Sequence, residues 1–355
     1  MPDASELRRK AAPAALGRGA RNAVRTCLGV GPGEAVTLIC DEASLTVAAA
    51  LLAALDEAGA ASRVFILERR EQRPLTALPA EIARALRGSA ASIYTAHPRD
   101  GEYEHRKELI GMVAPLRLRH AHMIRVTEDA MMQGMLSDYR RVARLNEVVK
   151  GRLARAAEIR VTSAAGTDVR VTLDPGEPIY CDAGVIAPGS WANLPTGEVY
   201  TVPAAVTGVY VCDGTAPTEE KLDRAELARR PLRIEIADGR MTKIEGGPGA
   251  LAAAVLATVR AGRNVDRIGM FAVGTNFELL MPIGDASQDV FMPGAYFSLG
   301  RPPGVGSSAW SSTCQLTFSG RKTSLTVDGE PLVDAGRYPS RILDPTRSEA
   351  PAPPC

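Results

Sequence analysis

The sequence predicts an α/β protein of two domains: an N-terminal doubly wound domain with a parallel sheet, and a C-terminal α+β domain. Three observations predict this class. In the first half, continuous apolar strand patterns alternate with helical patterns, which is typical of a parallel sheet covered on both faces. Later the hydrophobic period changes to two, and Asp-Gly turns indicate hairpins. The length of 355 residues also exceeds what one core usually supports.

The first domain should contain strands connected by helices. The strand patterns are "AVTLIC" at 35–40, "SRVFIL" at 62–67, "SIYTA" at 92–96 and "AHMIRV" at 121–126. The helical patterns lie at 44–60, 78–88, 106–116 and roughly 138–155. The glycines of "GVGPGE" at 29–34 precede a strand, whereas phosphate-binding loops follow one, so we interpret this segment as a structural turn.

The second domain should begin with a β-hairpin, "EIRVTSAAGTDVRVTL", after the last of these helices. Further hairpins are predicted at 232–247 and 323–333, and a helix at 248–262 between them. The predicted boundaries are a flexible N-terminus at 1–20, the α/β domain at 21–156, the α+β domain with its cleft at 157–342, and a disordered Pro-rich tail at 343–355.

Composition argues against several classes of function. The 42 basic and 41 acidic side chains leave a formal charge of +1, so nucleic acid and anionic membranes are not expected as partners. The first 24 residues lack an apolar segment of the length that a signal peptide needs, and no apolar run of 18 residues occurs anywhere, so we expect a cytoplasmic protein. The six cysteines form no CxxC pair, which argues against a zinc knuckle or a disulfide framework.

All four histidines, His97, His105, His120 and His122, lie in the predicted first domain. His120 and His122 should lie on one face of a strand, and such a pair can bind a metal. We interpret them as structural or solvent-facing because no third ligand is marked nearby. Metal binding by these histidines remains an alternative.

Five segments in the second half resemble, in order, the signature segments of the aminopeptidase T family of metalloaminopeptidases. They are "NLPTGEVY" at 193–200, "VDRIGMFAVGTN" at 265–276, "PGAYFSLG" at 293–300, "GSSAWSSTCQL" at 306–316 and "VDGEPLVDAGRY" at 327–338. The fold of that family resembles that of the iron-dependent 2,5-dihydroxypyridine dioxygenases. The resemblance implies the same two-domain fold and a homodimer.

The family's metal ligands are mostly replaced in this chain. Glu198 occupies the position of the first ligand, a glutamate after the turn. Met270 stands where the resemblance implies a second glutamate, and Tyr296 where it implies a histidine. Ser311 and Thr313 stand where it implies a His-x-Asp pair. A thioether, a phenol and two hydroxyls are poor donors to a divalent transition metal, so we expect no metal and no other cofactor.

Glu198 then has two interpretations. It either caps turn amides or pairs with an arginine such as Arg301, or it faces the cleft and binds the ammonium group of a peptide-like ligand. Trp191 and Trp310 flank two of the segments and are either core residues or walls of a peptide pocket. The candidate ligand-binding residues are therefore Glu198, Met270, Tyr296, Ser311, Thr313, Trp191, Trp310 and Arg301.

The leading hypothesis is a metal-free, catalytically inactive relative of these enzymes. It would bind a peptide and serve as an accessory or substrate-presenting factor, with a biosynthetic enzyme as partner, in making a peptide-derived natural product. The alternative is a metal-independent hydrolase, cyclase or isomerase in which Glu198 and Tyr296 form an acid–base pair. Serine and cysteine nucleophiles are disfavoured, because Ser311, Ser312 and Cys314 have no base or cation nearby in sequence.

Overall fold

The computed structural model describes residues 2–217, 224–303 and 310–347. Within these ranges the strands are β1 (Ala35–Cys40), β2 (Ala61–Ile66), β3 (Ala91–Tyr94), β4 (Arg119–His122), β5 (Ile159–Thr162), β6 (Asp168–Leu173), β7 (Tyr180–Asp182), β8 (Ser190–Asn193), β9 (Glu198–Thr201), β10 (Pro203–Cys212), β11 (Leu232–Ala237), β12 (Arg240–Gly246), β13 (Ile268–Gly274), β14 (Gly294–Gly300), β15 (Gln315–Ser319), β16 (Ser324–Val327) and β17 (Glu330–Val333).

The helices include the five that were predicted, at Leu45–Glu57, Ala80–Arg87, Tyr103–Leu116, Tyr139–Leu153 and Leu251–Ala261, with shifted ends, and also shorter ones that were not predicted. The helices are α1 (Pro2–Arg9), α2 (Gly17–Arg21), α3 (Leu45–Glu57), α4 (Ala80–Arg87), α5 (Tyr103–Leu116), α6 (Glu128–Met132), α7 (Tyr139–Leu153), α8 (Arg224–Arg229), α9 (Leu251–Ala261), α10 (Ala286–Asp289) and α11 (Ser340–Leu343). None of the helices in the described ranges combines the length and the apolar character needed to cross a membrane.

The chain divides into two compact units at positions that differ from the predicted boundary at 156/157. The first unit contains the residues up to Arg140 and the segment Ala183–Thr196. The second unit contains Arg141–Asp182 and the residues that follow from Gly197. The chain returns to the first unit because β8 pairs in parallel with β4. A strand of four residues with an exposed tryptophan carries too weak an apolar pattern to be predicted from sequence.

The two ends of the chain also differ from expectation. We expected residues 1–20 to be flexible, but Pro2–Arg9 is helical, and both Leu7 and Leu16 are buried. Buried Asp3 accepts hydrogen bonds from Arg70 and Arg69, which ties this segment to the residues after β2. The tail that we predicted to be disordered starts at residue 343. Its first residues form the end of α11 and a 3₁₀ turn at Asp344–Arg347, and its remainder lies outside the described residues.

The first unit contains a parallel sheet with the strand order β2-β1-β3-β4-β8. Its strands are apolar on both faces, as expected for a sheet covered on both sides: all four residues of β3 and five of six in β1 are buried. The second unit contains antiparallel sheets, with the orders β12-β11-β10-β6-β5-β16-β17 and β15-β14-β13-β9-β7. The parallel and antiparallel sheets confirm the predicted fold class.

A buried arginine lies at the carboxyl edge of the parallel sheet, where doubly wound folds commonly bind ligands. Arg73 donates to Glu102 (2.5 and 2.7 Å), to Asp41 (2.9 Å), to Glu68 (2.8 Å) and to the carbonyl of His97 (2.6 Å). Burial alone would raise the pKa of Glu102, but hydrogen bonds from Arg73 and from backbone N–H groups outweigh it and lower the pKa to about 2. The arginine therefore holds three carboxylates together and closes this edge.

In the second unit, the sheet β15-β14-β13-β9-β7 has two apolar faces. One face, with Phe271 and Phe297, belongs to the main core of the unit. The other face, with Met270, Ala272 and Tyr296, is covered by a smaller cluster that includes Phe291. Because neighbouring residues of a strand point to opposite faces, the sequence alternation assigns each candidate residue to one of the two.

We expect Arg73→Met to lower the free energy of unfolding by about 3–5 kcal/mol, because it leaves buried carboxylates without their cation. Arg8→Met is the matched control: the exposed Arg8–Asp56 pair should contribute less than about 1 kcal/mol. Urea unfolding followed by circular dichroism measures both. Equal losses in the two variants would contradict the importance of the buried cluster.

Candidate functional site

Glu198 begins β9 and its side chain is buried. Gly197, before it, has φ +141°, and a Cβ at that position would lie 2.8 Å from Cβ of Asn276 and 2.9 Å from its backbone nitrogen. The backbone of Thr275 donates to the carbonyl of Gly197 at 2.7 Å. The turn of "NLPTGEVY" therefore needs glycine, because its backbone approaches the segment at Thr275 and Asn276 closely. This approach fixes the backbone position of Glu198, the next residue.

Tyr296 is the hydrogen-bond partner of Glu198. Its hydroxyl donates to Oε2 of the glutamate, and both side chains are buried. The two residues lie on β14 and β9, the strands on either side of β13, opposite Ala272 and Gly274 respectively. The small residues on the central strand leave space for the phenol to reach the carboxyl group. The structure thus brings together the two residues that the sequence analysis proposed as a pair.

The pair is uncharged at neutral pH. Burial is the main reason that the pKa of Glu198 rises, the charge of Asp182 raises it further, and the hydrogen bond from Tyr296 lowers it in part; the resulting pKa is about 8. Burial and the neighbouring carboxyl group also raise the pKa of the Tyr296 phenol well above its usual range. A neutral carboxyl group and a neutral phenol satisfy each other without a cation.

Asn146 of α7 supports the strands that carry these carboxyl groups. Its Nδ2 donates to the carbonyls of Asp182 (3.0 Å) and Glu198 (3.1 Å), and its Oδ1 accepts from the hydroxyl of Thr275. The sequence analysis missed this residue. The available signal in the sequence was an asparagine within the apolar pattern of a helix. In the structure this side chain is fully buried, and a buried amide needs partners for all its polar atoms.

The residues around Glu198 do not fit the metal that the resemblance implies. Tyr296 occupies one oxygen of the carboxyl group, and Met270 packs in the apolar cluster on the same face of the sheet. No histidine follows His122 anywhere in the sequence. Within the described ranges, no group of three or more His, Cys, Asp or Glu side chains could hold a metal ion. One protonated carboxyl group beside a phenol and a thioether is a poor donor set for such an ion.

Ser311 and Thr313 do not face the pair. Both are exposed and precede β15. The backbone register places Ser319 opposite Tyr296, and Thr317 opposite Ser298 with a hydroxyl contact of 2.9 Å. The hydroxyls on the Tyr296 face of β15 are therefore those of Thr317 and Ser319. The resemblance between the sequence segments could not fix this register, because this segment carries none of the family's charged residues.

The remaining candidates make other contacts. Arg301 donates to the carbonyl of Thr313 at 2.8 Å, and Glu198 instead has Tyr296 as its hydrogen-bond partner. The guanidinium of Arg267 lies 4.5 Å from the ring centroid of Trp310, a cation–π contact. Trp191 belongs to the first unit, where its ring lies edge-on to His122 at 5.8 Å.

Most of the histidines form a buried polar chain in the first unit. Nε2 of His120 lies 3.2 Å from Nδ1 of His122, and Nδ1 of His120 lies 2.8 Å from Oγ of Ser92. Nε2 of His105 lies 3.0 Å from the hydroxyl of Tyr94. Burial lowers the pKa of His120 to about 3 and that of His122 well below its usual value. His120 and His122 are therefore neutral, and a hydrogen bond joins their rings.

A pocket of about 350 Å³ lies within the second unit and reaches Tyr296. Its buried lining includes Tyr296, Ser319 and Val290, and its exposed lining includes Leu280 and Met281. This volume lies at the lower end of the range for small-molecule sites. The site is therefore a small, mostly apolar pocket whose lining includes Tyr296, the hydrogen-bond partner of Glu198.

Comparison with known families gives one match, which covers less than half of the chain. The family described as NicX, 2,5-dihydroxypyridine 5,6-dioxygenase, matches residues 112–263. Among curated proteins, no sequence matches this chain.

Two solved structures share the fold over nearly the whole chain. The structure of 2,5-dihydroxypyridine dioxygenase from Pseudomonas putida KT2440 has a TM-score of 0.67 and 17% identity, and the alignment covers 92% of this chain and 97% of that one. Wild-type AmpT from Thermus thermophilus has a TM-score of 0.64 and 16% identity, with 91% and 98% covered. The fold implied by the sequence resemblance is thus confirmed, and identities this low establish the fold alone.

Glu198→Gln should change how stability depends on pH. Between pH 4.5, the usual pKa of the side chain, and about 8, the unfolded chain ionises Glu198 while the folded protein keeps it protonated. The native protein therefore loses stability as pH rises through this window, and the variant lacks this loss. The variant should gain stability relative to wild type from about pH 5 to about pH 8.5.

Urea unfolding at several pH values measures this difference, with Glu330→Gln, at an exposed glutamate, as the matched control. If the Glu198→Gln curve ran parallel to wild type across the window, the carboxyl group would be ionised in the fold.

Proposed function

We propose that the second unit binds a peptide or peptide-like molecule without a metal, and that the protein is a catalytically inactive accessory or substrate-presenting factor. The observation that carries this proposal is the buried hydrogen bond between Tyr296 and Glu198. Glu198 is the one metal-ligand position of the resembled family that keeps its residue, and this hydrogen bond uses it for a contact within the protein. The pocket beside this contact stays open. A site arranged in this way supports recognition and lacks the means to polarise a peptide carbonyl.

The geometry argues against Glu198 as the acceptor for a ligand's ammonium group, and its partner is Tyr296 rather than turn amides or Arg301. A protonated carboxyl group that is 95% covered and already accepts a hydrogen bond is a poor acceptor for a ligand's ammonium group. Recognition of a peptide would instead use the pocket lining, with apolar contacts from Leu280, Met281 and Val290. Tyr296 would form the inner wall of the pocket.

A second candidate function rests on the raised pKa of Glu198, about 8, and on its direct contact with Tyr296. In a metal-independent enzyme, the phenol would transfer its proton to a bound substrate while the carboxylate form of Glu198 received a proton from solvent or product. Such a reaction would need Glu198 ionised, so its rate should rise with pH through about 8.

The wider setting of the protein is also part of the proposal. A homodimer is proposed because the resemblance implies one, and a biosynthetic enzyme is proposed as the partner that receives the bound peptide. The proposed pathway makes a peptide-derived product in the cytoplasm. The replaced ligand set supports a role in presentation rather than cleavage.

Equilibrium dialysis of the protein against a mixed peptide library, followed by mass spectrometry of bound and free fractions, tests the proposal. We expect some peptides to be enriched with the protein and recovered intact. Tyr296→Ala should reduce this enrichment about tenfold or more, because it removes the inner wall of the pocket. Tyr103→Phe, at an exposed tyrosine of the first unit, is the matched control.

Product analysis of the same incubations separates the two candidates. A product that forms with wild type and is lost in both Tyr296→Phe and Glu198→Gln would support the enzyme. The absence of any enriched peptide and of any product would overturn both.

A further inference from the structure

Three cationic side chains line the pocket that reaches Tyr296. They are Arg321, Lys322 and Arg337, and among the described residues that line this pocket the only carboxylate is Asp289. The lining therefore has an excess of two positive charges. This charge was not apparent from the sequence, in which basic and acidic residues are nearly equal in number.

The fold brings these cations together through two turns. Arg321 and Lys322 lie in the turn between β15 and β16, and Arg337 lies in the turn after β17. The backbone of Gly336 donates to the carbonyl of Thr323 at 3.0 Å, which joins the turns. Gly336 has φ +76°, and a Cβ there would lie 3.1 Å from Cα of Lys322. The close approach of the turns sets the spacing of the charges.

Nearby carboxylates balance the charges of the three cations only in part. Within the described ranges, none of the three lies within ion-pair distance of an acidic side chain. Asp289 accepts backbone N–H groups of Ile283 (2.8 Å) and Gly284 (2.7 Å). Asp213, beside Arg321, accepts the backbone N–H of that residue at 2.6 Å. Among the described residues, the lining of the pocket therefore keeps a net positive charge.

The lining of the pocket also includes apolar side chains that are open to solvent. Leu280 and Met281 are 82% and 66% exposed, and no other large apolar side chain in the described ranges is as exposed as either. They line the pocket with Val290 and Met292. Large apolar side chains exposed next to a cavity are typical of a surface that a ligand covers.

We propose that this pocket binds an organic carboxylate with an apolar body, and specifically the C-terminal residue of a peptide with a free carboxylate. The inference rests on the proposed function and names the end of the peptide that is recognised. Arginine guanidinium groups bind carboxylates through paired, charge-assisted hydrogen bonds, and the lysine adds a further donor. The excess positive charge repels a peptide's ammonium group, so the carboxyl end enters the pocket.

Four versions of one short peptide test this choice of end. The peptide Ala-Lys-Gly-Gly-Leu carries a fluorophore on its lysine side chain, and its N-terminus is free or acetylated while its C-terminus is free or amidated. Fluorescence anisotropy with the full-length protein should give about tenfold or more tighter binding for both free-carboxylate versions. Acetylation should have little effect. Added salt should weaken binding of the free-carboxylate versions.

A second pair of probes separates this inference from the proposed function. Nuclear magnetic resonance titration with 3-phenylpropanoate and with 3-phenylpropanamide tests carboxylate recognition without a peptide. If only the peptides fail to bind, peptide binding is wrong and carboxylate recognition stands. If all four peptides bind equally, the peptide proposal stands and carboxylate recognition is overturned. If no probe binds, both are overturned.

Substitutions locate the binding. Arg321→Gln and Arg337→Gln should each weaken binding of the free-carboxylate peptides about tenfold and leave binding of the amides unchanged. Arg260→Gln is the matched control, since Arg260 is exposed on α9 and does not line the pocket. Carboxylate binding that survives the triple variant Arg321→Gln/Lys322→Gln/Arg337→Gln would place the ligand elsewhere and overturn the assignment.

Discussion

A buried carboxyl group must be neutral or matched by a partner, and in the second unit this constraint is met by the hydrogen bond from Tyr296 to Glu198. The phenol lies within the fold, opposite small residues of β13, and it needs no ion from solvent. Asn146 holds the backbone of β7 and β9, so the carboxyl group and its neighbour Asp182 keep their positions. Tyr296 also belongs to the apolar cluster on this face of the sheet and lines the pocket, so the residue that pairs with Glu198 connects the core to the pocket.

The pocket combines neutral and charged regions that suit different parts of one ligand. Its lining includes the uncharged phenol of Tyr296 and also offers two guanidinium groups and an ammonium group. An apolar side chain can therefore enter without desolvating an ionised glutamate, while an anionic group meets cations near solvent. The first unit differs in kind: its polar edge is closed by Arg73 and three carboxylates, and its buried His120 and His122 are neutral and joined by a hydrogen bond.

Local patterns predicted much of the fold. The strand at 35–40 has the predicted bounds, and the Asp238-Gly239 and Asp328-Gly329 turns join the hairpins that they indicated. The order of the segments also predicted that Glu198 and Tyr296 belong to one site. The sequence could not show that Ala183–Thr196 returns to the first unit or that Thr317 and Ser319, rather than Ser311 and Thr313, face Tyr296. These features depend on pairing between distant strands, and the cations of the pocket depend on contact between two turns.

Metal content is the most direct test of the account. The full-length protein would be purified with zinc, iron and cobalt supplied during expression, and metals would be counted per chain by mass spectrometry alongside Glu198→Gln. Because Tyr296 and a neutral Glu198 replace a ligand set, wild type and variant should both contain far less than one transition-metal ion per chain. One tightly held ion per chain in wild type that is lost in Glu198→Gln would contradict the central claim.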